Sequence, residues 1–184
     1  MKLPATMHIG RRAFLKTGTA ALLTSLLPIS AAAAVGREYK ILSFYNIHTG
    51  ETLKTCYRSK GRLVRRAIER ISLIMRDHRT SEIKPVDPAL LDLLHRVTKT
   101  LHPACVISIV SGYRSPQTNA ALRKTTRGVA RNSLHMQGRA IDIRISGCRT
   151  AHLRRMAIDL KCGGVGYYPE SDFVHLDTGP YKVW

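Results

Sequence analysis

Between Arg139 and Ile145 the chain alternates Ile141, Ile143 and Ile145 with Ala140, Asp142 and Arg144, and this run restricts the fold more than any other stretch. A period of two is the spacing of a half-buried strand, so the isoleucines require a packed layer on one face while Asp142 stands on the other. Helices can supply that layer. From Lys60 to Arg76, Leu63, Val64, Ala67, Ile68, Ile71, Ile74 and Met75 recur at three and four, which predicts an amphipathic helix with its arginines mostly toward solvent. Asp87 followed by Pro88 reads as an N-cap and first turn, and Leu90, Leu91, Leu94 and Val97 make a second helix ending near Thr100. Ser115 with Pro116 opens a third helix to about Arg123, and Thr150 caps a fourth through Lys161, stopped by Gly163 and Gly164. Strands are expected at Val106 to Val110, in a hairpin across Lys40 to Tyr57 turning at His48-Thr49-Gly50-Glu51, and in a final hairpin of Val165 to Tyr168 and Phe173 to Asp177. The expected class is α+β: a small central antiparallel sheet with flanking helices.

The N-terminus reads differently. Gly10 to Lys16 is GRRAFLK, followed by an apolar stretch from Ala20 to Ile29 and the small residues Ala31 to Ala34. That order resembles a twin-arginine export signal spanning residues 1–34. Its apolar part is shorter than the roughly 20 residues a bilayer span needs. The expectation is a single domain over residues 35–184, delivered to the periplasm by the twin-arginine translocase, with no membrane span in the mature form. The whole chain carries a formal charge of +18, and residues 35–184 keep 26 basic against 12 acidic side chains. Such a charge suits an anionic polymer. Nucleic acid is excluded as that polymer, because no helix-turn-helix, finger or aromatic-interleaved basic stripe accompanies the charge. Cys56, Cys105, Cys148 and Cys162 allow three complete pairings in an oxidising compartment, with buried free thiols the alternative. A Cys148–Cys162 bridge is disfavoured, since the intervening helix would hold the two about 16 Å apart.

Three separated segments hold the reactive residues: SGYRS at Ser111 to Ser115, SLHMQGRAID at Ser133 to Asp142, and SDFVHLDTG at Ser171 to Gly179. Two imidazoles and one carboxylate are a recurring set around a catalytic zinc ion that keeps one position for water. His135, Asp142 and His175 supply that set. Phe173, His175 and Asp177 share one face of the last predicted strand.

The order S-x-H-x-x-G-x-A-x-D, matched at Ser133, His135, Gly138, Ala140 and Asp142, together with the upstream G-Y-R-S and a later strand histidine, resembles the zinc peptidases that include D-Ala-D-Ala carboxypeptidases and VanX-type dipeptidases. GGVGYYP at Gly163 to Pro169, the ending FVHLDTGP and the leading twin arginine are closer still to the YcbK/MepK-type murein endopeptidases. The resemblance implies the fold of that zinc peptidase superfamily and one Zn²⁺ per chain on His135, Asp142 and His175. It also implies that Arg114 polarises the scissile carbonyl through its fixed fork of donors. Many relatives place a Glu three residues before the last zinc histidine. Here that position is Asp172, the expected general base, with Glu170 its rival. Asp177 is expected to orient an imidazole from behind, and Ser133, Asn119 and Tyr113 to contact substrate. The implied substrate is the stem peptide of peptidoglycan, cut at a diaminopimelate–diaminopimelate or D-Ala–diaminopimelate cross-link during wall growth or remodelling. Two competing expectations are a catalytically silent zinc-containing module that binds peptidoglycan, which the Asp at position 172 favours, and a D,D-carboxypeptidase.

Overall fold

The computed structural model describes residues 39–184 apart from Pro103, Arg127 and Cys162, so the export signal expected at residues 1–34 and any pairing of Cys162 lie outside the described residues. Strands β1 (Tyr39–Asn46) and β2 (Thr52–Ser59) form the expected hairpin. The next five residues do not continue into helix. Lys60 and Gly61 both adopt positive φ, 50° and 75°, the geometry of a tight two-residue hairpin turn, and fold a short β3 (Arg62–Leu63) back on β2. Helix α1 therefore begins only at Arg65 and runs to Ile74.

Helix α2 (Pro88–Leu101) starts where Asp87 and Pro88 predict, with the Asp87 side chain accepting from the Ala89 amide. β4 (Ile107–Ser111), α3 (Pro116–Thr125), a 3-10 turn at Leu134–Gln137, β5 (Ala140–Ile145), α4 (Thr150–Asp159) and the hairpin β6 (Gly164–Tyr168) with β7 (Phe173–Asp177) follow. A last strand, β8 (Lys182–Val183), was not foreseen. The eight strands of the described residues join one sheet in the order β3-β2-β1-β4-β5-β7-β6-β8. The class is α+β, but the sheet is larger than expected and mixed: β1 runs parallel to β4 and β6 parallel to β8.

The isoleucines of β5 face the core as their alternation requires. Ile141 and Ile143 join Ile107 and Ile109 of β4, Val174 and Leu176 of β7, and Leu153 and Ala157 of α4 in one buried cluster. Helix α4 lies against β5, β6 and β7, and α2 against β1 and α4. With that side filled, the opposite face of the central strands is free to carry polar side chains. Among the described residues no helix is long and apolar enough to cross a membrane, and Cys56, Cys105 and Cys148 are free, half-buried thiols.

Candidate metal centre

The sheet register lines up the polar face. Ser111 pairs with Asp142, Asp142 with His175, and His175 with Gly166, so four neighbouring strands set these positions in one row. Asp142 and His175 are thereby brought side by side. His135 arrives from above, on the 3-10 turn that precedes β5. Ser133 caps that turn by accepting the His135 amide at 3.3 Å. Gly138 ends it at φ 67°, where a Cβ would stand 2.4 Å from the Pro85 carbonyl oxygen, so only glycine closes the turn without strain.

Three donor atoms converge. His175 Nδ1 lies 2.8 Å from Asp142 Oδ1, His135 Nε2 lies 3.3 Å from the same oxygen, and the two ring nitrogens are 3.2 Å apart. Ligands about 2.1 Å from a tetrahedral zinc ion stand roughly 3.4 Å from one another. The triangle is therefore the size of one face of a zinc tetrahedron, and its N, N and O donors are a set that zinc accepts. The nitrogens not in the triangle are also engaged. His135 Nδ1–H donates to the Gly112 carbonyl at 2.7 Å, and His175 Nε2 pairs with Asp177 Oδ2 at 3.0 Å. These contacts hold the outer nitrogen of each imidazole as a donor and aim the other nitrogen into the triangle. Asp177 is itself held by the amides of Gly164 at 2.9 Å and Gly179 at 2.7 Å.

The electrostatics of the cluster are those of a site built for positive charge. Burial alone would raise the Asp142 pKa, yet the neighbouring imidazoles, His135 foremost, hold it well below the usual carboxylate range. Burial likewise opposes charge on His175, but hydrogen bonds to Asp142 and then Asp177 push its pKa up to about 9. Two carboxylates thus press a proton onto an imidazole in the place a cation would take.

Arg114 flanks the triad. Its terminal nitrogens reach Asn119 Oδ1 at 3.4 Å and Ser111 Oγ and Asp142 Oδ2 at 3.5 Å each, long for charge-assisted bonds. Its Nε is buried and has no partner among the described residues. Donors so loosely occupied can turn to a substrate oxygen. Asn119 is buried, and its amide nitrogen donates to the carbonyls of Ala130 and Arg131 at 3.1 and 3.4 Å. Ser133 is also buried and engaged with the His135 amide, so both side chains brace the site's loops. Tyr113 is buried, its amide donating to the Met75 carbonyl at 2.7 Å.

The two acids expected to move protons are not in the cluster. Asp172 Oδ1 accepts from Thr150 Oγ1 at 2.8 Å, at the start of α4, and its other oxygen lies 3.7 Å from Arg144 Nε. Glu170 is exposed on the β6–β7 turn. Sequence reasoning passed over two other groups. Asp77, buried beneath the SGYRS segment, accepts the Ser115 amide at 2.8 Å; an Asp in a polar loop carried no signal of that burial. Trp184 sets its indole 5.3 Å from the His175 ring, and its being the chain's single tryptophan was the only clue.

The family model described as "Peptidoglycan L,D-endopeptidase MepK" matches residues 34–184. The chain is 39% identical over 175 residues to the Peptidoglycan L,D-endopeptidase MepK of Escherichia coli, covering 95% of this chain and 96% of that one. It is 39% identical over 176 residues to the Probable peptidoglycan L,D-endopeptidase MepK of Haemophilus influenzae, covering 95% of each. The chain belongs to the MepK family of peptidases.

Proposed function

We propose that His135, Asp142 and His175 hold one zinc ion and that the chain uses it to hydrolyse the diaminopimelate–diaminopimelate cross-link of peptidoglycan, with the D-Ala–diaminopimelate cross-link second. Membership of the MepK family makes the chain a peptidoglycan endopeptidase. The relatives' designation as L,D-endopeptidases supports the first bond. The observation that carries the zinc assignment is the inward-facing triangle of two imidazole nitrogens and one carboxylate oxygen, all within 4.8 Å of one another.

Zinc held by His135, Asp142 and His175 would supply Lewis acidity toward a carbonyl and toward water. The remaining roles belong to the chain. Asp142 and Asp177 lower the cost of gathering positive charge in a buried site, and Asp177 and the Gly112 carbonyl keep the two imidazoles aimed. Arg114, with Nε unpartnered among the described residues and its other donors on long contacts, donates to the carbonyl oxygen as negative charge grows there. Asp172 takes the proton from the attacking water and returns it to the leaving amine, with Glu170 the rival for that role. Asp172 must first release Thr150 and rotate toward the triad. The net positive charge draws the anionic wall polymer, and the GRRAFLK leader directs the chain to the periplasm through the twin-arginine translocase. We read residues 35–184 as the exported domain.

The engagement of Asp172 by Thr150 and the exposure of Glu170 on the β6–β7 turn favour a second reading, a zinc-holding module that binds stem peptides without cutting them. Incubating the purified protein with whole sacculi, with and without a chelator, and identifying products by mass separates the readings. Release of cross-linked fragments that stops on chelation and returns with Zn²⁺ supports hydrolysis. Bound zinc with unchanged sacculi rejects it, and loss of terminal D-Ala alone would make the chain a carboxypeptidase.

A further inference from the structure

Trp184 is held in place on three sides while the residue stays 44% exposed. Its amide donates to the Val165 carbonyl at 3.1 Å, and its carbonyl accepts from the Tyr167 amide at 3.0 Å, which extends the pairing of β8 with β6. The indole Nε1–H donates to Tyr168 Oη at 3.0 Å. The ring lies 5.3 Å from the ring of His175, tilted by 46°.

Gly166 makes this placement possible. It is the cross-strand partner of His175, and a Cβ there would stand 2.8 Å from Cε2 and Nε1 of the indole. The missing side chain leaves a notch in the row of strands beside the triad, and the indole fills it. Tyr168, which anchors the indole, stacks on Phe173 with ring centres 4.5 Å apart and 19° between planes. The Lys182 ammonium sits 5.8 Å from the indole centre.

A rigid aromatic ring with a cation over it has a definite binding chemistry. The ring accepts methylene groups, and because its rotamer is already fixed, little side-chain entropy is lost on contact. The ammonium suits a carboxylate at the end of those methylenes. We infer that Trp184 and Lys182 form a substrate subsite beside the triad that takes an aliphatic side chain ending in a carboxylate, carried by the peptide residue next to the scissile amide. This rests on the proposed peptidase reading and names the group that the site would select.

As the chain's single tryptophan, Trp184 reports on its own surroundings. Titrating the zinc-loaded protein with purified, uncross-linked stem tetrapeptide should change the tryptophan emission saturably. The same peptide with the side-chain carboxyl of its diamino acid amidated should bind about tenfold more weakly. Trp184→Ala, Lys182→Gln and Gly166→Ala, the last displacing the indole by the added methyl, should each raise KM on cross-linked muropeptides by roughly tenfold. All three should leave kcat within about twofold and zinc at one per chain. Trp184→Phe should recover part of the loss. Unchanged KM in both Trp184→Ala and Gly166→Ala, or equal affinity for the free and amidated peptides, overturns the subsite. If the wild type cuts no sacculi but the tetrapeptide still shifts its emission and Gly166→Ala abolishes that shift, the hydrolysis reading fails while the subsite stands. If cleavage proceeds and the variants match the wild type, the reverse holds.

Discussion

Asp77→Asn changes one atom type beneath the SGYRS segment, and its cost can be worked from the structure. Asp77 is 2% exposed. Its Oδ2 accepts the Ser115 amide at 2.8 Å and its Oδ1 the Arg79 amide at 2.9 Å. Burial would raise its pKa, but the hydroxyl of Thr118 and the amides of Ser115 and Arg79 more than offset this and lower it from 3.8 to about 2. At about 1.4 kcal/mol per pKa unit, that shift stabilises the folded state by roughly 2 kcal/mol. Because the folded value lies below the unfolded one, this stability is complete above about pH 4 and is lost as pH falls through about 2. Asparagine keeps one acceptor but turns an NH₂ toward an amide donor, so the variant should lose about 2 to 3 kcal/mol at pH 7. In urea denaturation its midpoint should fall by about 1 M at pH 7, and the gap to the wild type should shrink as the pH is lowered below 4. Since Ser115 follows Arg114, hydrolysis should slow as well, with zinc content unchanged. Equal midpoints at pH 7, or a gap that widens in acid, would refute the reasoning.

Arg114→Lys should lower kcat by roughly 10² with zinc retained, because a point charge cannot replace the guanidinium fork; steady-state kinetics on cross-linked muropeptides would read it. Asp177→Asn weakens the contact to His175 Nε2, and competition against a chromogenic chelator should show zinc affinity reduced by about 10- to 100-fold. Gly138→Ala puts a methyl against the Pro85 carbonyl at a φ of 67° and should cost about 2 kcal/mol, visible as a Tm lower by roughly 5 °C.

Where local chemistry decides the structure, the sequence could be read. The Ile141, Ile143 and Ile145 alternation gives β5 its faces, Asp87 with Pro88 gives the start of α2, and His135 and Asp142 of one segment group with His175 of another by their chemistry alone. Long-range pairing was not legible. Nothing in residues 39–46 announces that β1 runs parallel to β4, and two residues, Lys182 and Val183, are too short a run to signal β8. The helical spacing from Lys60 misled because Leu63 and Val64 fit a 3.6-residue period, while the left-handed pair Lys60 and Gly61 had already turned the chain into β3. The offset of Asp172 from His175 points to a general base, yet its φ of 49° and the nearby Thr150 hydroxyl direct its carboxylate toward α4. Such an outcome depends on a neighbour 22 residues away.

Metal content tests the central claim most directly. Protein dialysed against excess Zn²⁺ and then against metal-free buffer should show, by native mass spectrometry, one zinc per chain. His135→Ala, Asp142→Ala and His175→Ala should each retain none while keeping the wild-type circular dichroism spectrum. A wild type that holds no zinc, or a triad variant that still holds one, would contradict the account.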